Sequence, residues 1–142
     1  MRRDSTSLFE QLGGRPTLAR VHKIFYDKVY ADSWLLQFFE HVDQEHIENQ
    51  QTDFMTRCFG GPKNYFGRPP NTAHQHIFIT QEMITARHAL LRASLVEANI
   101  PVELADKWLE VDDSFTRAVI KRGMGDCVRR YKSDNILAFA AP

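Results

Sequence analysis

The sequence predicts an all-α domain, and three observations carry that reading. Apolar residues recur at three- and four-residue steps along most of the chain. No stretch alternates residue by residue as a half-buried strand would. Glycine, proline and asparagine fall between the periodic segments, at Gly13-Gly14, Gly60-Gly61-Pro62, Asn99 and Pro101, where such residues end or open helices.

In chain order, a short segment ends at Gly13-Gly14, and Pro16 suits the first turn of a helix whose Leu18, Val21, Phe25 and Val29 share one face. Asp32 and Ser33 interrupt it before a dense apolar cluster of Trp34, Leu35, Leu36, Phe38 and Phe39. From about Asp43 to Phe59 a second strong helix places Ile47, Gln51, Phe54 and Cys58 on one stripe, expected to face the core. Gly60-Gly61-Pro62 stops it. A third helix runs from about Gln81 to Ala98 on Ile84, Leu91, Leu95 and Ala98, with Asn99 as its stop. Pro101 opens the fourth, whose Leu104, Trp108, Val111, Phe115 and Val119 share a face, and Gly123 and Gly125 are expected to close it. The pattern gives four principal helices in one domain over 1–142, with a core of about 7–120 and a C-terminal extension over 123–142 whose structure the pattern does not define.

A chain of 142 residues is long enough to bury a core without disulfide or metal staples. Lysine plus arginine and aspartate plus glutamate each total 18, so the formal net charge is zero, which argues against a general nucleic-acid or membrane-surface binder. No apolar run approaches the ~20 residues that a membrane span needs. MRRDSTSLFEQL lacks the apolar core of a signal peptide. Cys58 and Cys127 lie far apart in no metal-type spacing, and a reducing cytoplasm with two free thiols is the expectation.

Chemistry points to Phe59–Ile79. A loop dense in glycine, proline and asparagine cannot pack as a core element, and it delivers His74 just ahead of the apolar Ile77, Phe78 and Ile79. Of the six histidines, His74 alone has a setting suited to an axial ligand of heme iron, with the opposite face open to a diatomic ligand. Gln51 interrupts an apolar stripe, and an unpartnered buried amide costs about 1–3 kcal/mol, so it should have something polar to bind. Tyr26, beside Phe25, could bring a hydroxyl to the same cavity. The alternative is that Gln51 bonds a main-chain carbonyl at a helix crossing and Tyr26 reaches the surface; spacing alone does not separate the two. There is no GxGxxG, P-loop, HExxH or GxSxG pattern, and Asp112-Asp113 reads as a solvated helix face.

The motifs LFEQLGG, FYDKVYAD, LLQFF, FGGPKNYFG and AHQHIFIT, over roughly Ser7 to Val119, resemble the truncated hemoglobins, globins with a two-over-two helical sandwich around heme b. The resemblance implies His74 as proximal iron ligand, Phe39 wedged against the porphyrin, and Tyr26 with Gln51 as distal donors to bound ligand. Ile47 falls where many globins have a distal histidine, Phe54 lines the pocket, and Tyr65 lies near the heme edge; Ile79, in the apolar run after His74, is expected to line the cofactor. Lys63, Arg68 and His76 are candidates for a propionate, and Gln50 stands where a basic residue often lies. Arg87 departs from the pattern, taking a place that usually carries an apolar or tryptophan side chain; that absent tryptophan, with Phe39, resembles the first subgroup more than the second.

The implied function is reversible binding of dioxygen, nitric oxide and carbon monoxide at a pentacoordinate iron, for oxygen binding or transport in the cytoplasm. It extends to nitric oxide dioxygenation with an external reductase, or a peroxidase-like side activity. The rivals are a ligand sensor or heme carrier without turnover, a helical interaction module lacking heme, and internal coordination of the distal site by His46.

Overall fold

The computed structural model describes residues 6–62, 74–121, 123–129 and 135–141. Its helices are α1 (Leu8–Leu12), α2 (Arg15–Ala31), α3 (Gln44–Cys58), α4 (Gln81–Glu97) and α5 (Val102–Val119), with 3-10 turns at Leu35–Phe39 and Met124–Asp126. Among the described residues the only β-type pairing is an isolated parallel bridge between Ile77 and Leu137, so the all-α expectation holds.

The helix ends follow local chemistry. Ser7 and Glu10 form a reciprocal capping box at α1, and Gly13 closes that helix at φ 106°, a left-handed conformation in which a side chain is strained. Asp43 and Thr80 cap α3 and α4 through side-chain oxygens that accept main-chain N–H bonds. Asn99, the expected stop, takes φ 61°.

Helix α2 is the organising element, packed chiefly against α3 and α4, while α4 packs on α5. This gives two helix pairs, α2 with α3 and α4 with α5, laid one over the other. The predicted face of α2 is fully buried, with Leu18, Val21, Phe25 and Val29 at 2% exposure or less. Ile84, Leu91, Leu95 and Ala98 of α4 are buried as expected.

Two faces differ from expectation. On α3 the buried residues are Thr52, Met55 and Thr56, followed by Phe59, whereas Ile47, Gln51, Phe54 and Cys58 are half-buried. The core face is thus one residue to the side of the predicted stripe. Hydrophobicity concealed it because two of its members are threonines, short enough to admit α2 closely; Thr52 Oγ1 lies 2.8 Å from His22 Nδ1. On α5, Trp108 and Val119 are buried, but Leu109, Asp112 and Thr116 complete the face, while Leu104, Val111 and Phe115 lie at its border. The helix also ends at Val119, before Gly123, because Ile120 is extended at φ −68°, ψ 134°.

Candidate functional site

A cluster of aromatic rings surrounds Tyr26 on α2. Its ring sits 4.9 Å from Phe25 and 6.1 Å from Phe39, centre to centre, both edge-on, and Phe39 in turn lies 5.6 Å from Tyr30. The 3-10 turn Leu35–Phe39 sets this up by burying Leu35 and Phe38, which leaves Phe39 half-buried against the α2 tyrosines. Tyr26 is buried at 5% exposure, which decides against the reading in which it reaches the surface. Burial pushes its phenol far above the usual range, with Arg87 opposing, so the hydroxyl keeps its proton and is a donor at any ordinary pH. No hydrogen bond is made by that hydroxyl, or by the Gln51 amide, to any of the described residues, although Gln51 is half-buried.

The remaining predicted residues fall on two elements. Ile47, Gln51 and Phe54 line the half-buried stripe of α3, and Phe54 meets Phe115 of α5 edge-on at 5.0 Å. His74 lies in the turn before α4, half-buried; His76 and Ile79 follow it, both buried. His46 is exposed in the first turn of α3, where its main-chain N–H donates to Asp43. Lys63, Tyr65 and Arg68 lie outside the described residues. The structure therefore joins Tyr26 to Phe39 directly, and presents the α3 stripe and the His74 segment as separate contributors.

Three features escaped the sequence reading. Asp112 is not on a solvated face: it is buried at 3% exposure and accepts hydrogen bonds from Arg87 Nη1 at 2.6 Å and Nη2 at 2.9 Å. An aspartate one turn from Trp108 on the apolar face of α5, with Arg87 on the partner helix, was the available signal. This pair also accounts for Arg87, whose guanidinium is claimed by Asp112 while stacking 5.3 Å from the Phe25 ring centre. The second is His22, buried beside Thr52 and 5.6 Å from the Trp108 ring. The third is Lys121, whose ammonium donates to the main-chain carbonyls of His74 at 3.0 Å, Ile77 at 3.1 Å and Val119 at 3.1 Å. Nothing in the residue pattern foretold that contact, since it depends on where the chain runs after α5.

The described residues suit a flat apolar cofactor bearing a metal. They offer an imidazole segment, half-buried aromatic and aliphatic walls, and a protonated hydroxyl on a largely buried ring that makes no hydrogen bond to the described residues. No group of three or more histidine, cysteine, aspartate or glutamate side chains that could hold a metal ion by themselves occurs among them. Cys58 and Cys127 are free thiols. No helix among the described residues is long and apolar enough to cross a membrane.

Comparison with known proteins agrees with this geometry. The family model described as bacterial-like globin matches residues 7–121. A group 1 truncated hemoglobin of Tetrahymena thermophila is 34% identical over 109 residues, spanning 77% of this chain and 90% of that protein. The crystal structure of the truncated hemoglobin of Tetrahymena pyriformis in its Fe(III) form superposes with a TM-score of 0.76 at 28% identity, over 82% of this chain and 99% of that one. The 2/2 hemoglobin of Synechococcus sp. PCC 7002, in the cyanomet state with covalently attached heme, gives a TM-score of 0.76 at 31% identity, over the same shares.

Proposed function

Because the chain belongs to the truncated hemoglobin family of bacterial-like globins, we propose that it binds dioxygen and related diatomic ligands reversibly at a pentacoordinate heme iron held by His74. Heme is the cofactor of this family, and heme-based binding of diatomic ligands is the activity that membership carries. When bound, ferrous heme supplies one open coordination position for such a ligand.

The chain's own residues then have distinct tasks. The His74 imidazole is the protein ligand. Phe39, Ile47, Phe54 and Ile79 give an apolar lining that excludes water, and Tyr65 with Arg68 are the proposed contacts at the heme edge. Tyr26 donates its hydroxyl proton towards a ligand that gathers partial negative charge, and Gln51 offers a second polar group from α3. One observation carries this reading: a tyrosine only 5% exposed, kept protonated by burial, whose hydroxyl makes no hydrogen bond to the described residues and is free to donate to a ligand.

The finer proposal is nitric oxide dioxygenation in the cytoplasm. It would rely on the same residues, and on an external reductase because the chain carries no flavin-binding motif. The group 1 relatives favour the first subgroup for this chain.

The test is an ultraviolet–visible spectrum of the purified protein with hemin, reduced and exposed to carbon monoxide, beside His74→Ala. A Soret band that moves with carbon monoxide in the parent, and is lost or altered in the variant, supports the assignment. No Soret band in the parent would sink it and leave a helical interaction module.

A further inference from the structure

Residues that follow α5 bond to the main chain of the segment that carries His74 at every position from His74 to Ile79. The carbonyls of His74 and Ile77 accept from the Lys121 ammonium, at 3.0 and 3.1 Å. The Gln75 carbonyl accepts from Val128 N–H at 2.7 Å, and the His76 carbonyl from Leu137 N–H at 2.9 Å. Phe78 N–H donates to the Leu137 carbonyl at 2.8 Å, and the Ile79 carbonyl accepts from Lys121 N–H at 2.7 Å. The Gln75 side chain adds a bond to the Arg129 carbonyl at 3.1 Å. Every residue from His74 to Ile79 therefore has a main-chain group bonded to residues 121–137.

The far end of this stretch is anchored as well. Phe139 stacks edge-on to Phe38 at 4.9 Å, and its carbonyl accepts from Trp34 Nε1 at 2.9 Å. The anchor lies on the 3-10 turn that also presents Phe39. The bacterial-like globin match ends at residue 121, so Lys121 is its last residue, while Val128, Arg129, Leu137 and Phe139 lie beyond the part of the chain that the family pattern describes.

Resting on the reading of His74 as the iron ligand, we propose that Lys121, with Val128 and Leu137, forms a positioning strap that fixes the His74 imidazole for the iron. A lysine ammonium has three protons, and here all three have carbonyl partners. One of those carbonyls, of Val119, belongs to the last turn of α5, where a cation complements the helix dipole. The other two belong to the His74 turn. Lys121 thus welds the end of α5 to the main chain of the ligand residue. The His74 carbonyl also accepts from Ile77 N–H at 3.0 Å, so two donors fix that peptide plane and with it the direction of the Cα–Cβ bond that aims the ring. Partners that orient a metal ligand strengthen metal binding about 10- to 100-fold.

The experiment compares the hemin-loaded parent with Lys121→Met, Lys121→Arg, Leu137→Pro and His74→Gly. Two quantities are read: the iron–histidine stretching band in the resonance Raman spectrum of the ferrous protein, and the rate of hemin loss to excess apomyoglobin. Lys121→Met should shift or broaden the band and speed hemin loss about tenfold, whereas Lys121→Arg, which keeps a cation with donors, should stay within about threefold of the parent. Leu137→Pro, which deletes one strap N–H and leaves Lys121 in place, should move both readouts in the same direction and keeps the test open if Lys121→Met does not fold. A band and hemin-loss rate unchanged in Lys121→Met and Leu137→Pro, even with a lower melting temperature, would overturn the strap and leave His74 as ligand. A band that persists in His74→Gly would overturn the ligand assignment itself, and the strap with it.

Discussion

Asp112 on α5 binds Arg87 on α4 through both guanidinium nitrogens, at 2.6 and 2.9 Å, and His88 Nε2 lies 3.1 Å from the same carboxylate. This buried junction couples the α4–α5 pair to the aromatic cluster of α2, because the same guanidinium rests on Phe25. It also engages Arg87, the residue that takes a place usually held by an apolar or tryptophan side chain.

Replacing Asp112 by asparagine should therefore destabilise the protein by about 3 kcal/mol, since it leaves a largely buried guanidinium without its counter-charge. Burial alone would raise the Asp112 carboxyl, but the Arg87 charge and the hydrogen bonds from His88 and Arg87 overcome that and hold it well below the usual range. A carboxyl depressed in the fold stabilises above its unfolded value of about 3.8 and loses that contribution as pH falls further. Urea unfolding at pH 7 measures the cost; a loss under about 0.5 kcal/mol would show that the pair contributes nothing net.

His22 sets a second, higher window. Burial above all, then the Arg87 charge, lowers its imidazole from 6.5 to about 3, with Asp112 offsetting only part. The folded protein keeps His22 neutral while the unfolded chain takes up a proton below pH 6.5, so stability should fall by about 1.4 kcal/mol per pH unit from there towards pH 3. Denaturant midpoints at pH 7, 6 and 5 give the slope. In His22→Gln it should flatten, and an undiminished slope in that variant would assign the effect to other groups.

Which parts were legible in the sequence follows from what each residue reports. Leu18, Val21, Phe25 and Val29 announced the α2 face because burial there is purely apolar, and Gly13 and Asn99 marked helix ends because both adopt positive φ. The α3 face was missed because Thr52 and Thr56 fill it, and hydropathy cannot tell a threonine that seats a histidine from one in water. Asp112 was misread for the same reason: its partner lies 25 residues away on another helix. Tyr26 was legible as a candidate, but its burial was not, since that depends on Phe39 folding back from a separate turn. The bonds of Lys121, Val128, Arg129 and Leu137 to the His74 segment are long-range and each involves a main-chain group, so they leave no periodic trace at all.

Gly61 carries a prediction of purely steric origin. A Cβ there would lie 2.8 Å from Phe9 Cγ and 2.8 Å from Thr56 Cγ2, where α1 closes on the end of α3. The Phe9 N–H bond to the Phe59 carbonyl, at 2.9 Å, and the Gly61 N–H bond to the Thr56 carbonyl, at 2.8 Å, fix that approach, so neither neighbour can withdraw freely. Gly61→Ala should cost about 1–3 kcal/mol in thermal or urea unfolding. A neutral result would mean that α1 swings away at no cost.

Tyr26→Phe separates ligand binding from stability. The ring contacts to Phe25 and Phe39 survive the change, and the hydroxyl has no partner among the described residues to lose. Unfolding free energy should therefore stay within about 0.5 kcal/mol of the parent. If the hydroxyl donates to dioxygen, a hydrogen bond to a partly charged acceptor is lost, about 1.5–3 kcal/mol, and dioxygen should leave the ferrous protein roughly 10- to 100-fold faster in stopped flow. Carbon monoxide, which gathers less negative charge, should change much less. Combining Tyr26→Phe with Gln51→Leu then asks whether the two groups act on one ligand. Coupled donors give a double variant whose rate departs from the product of the single effects, whereas a strict product would place Gln51 outside the ligand's reach. A dioxygen off-rate unmoved by Tyr26→Phe would remove this hydroxyl from the distal site and require the donor to come from elsewhere in the chain.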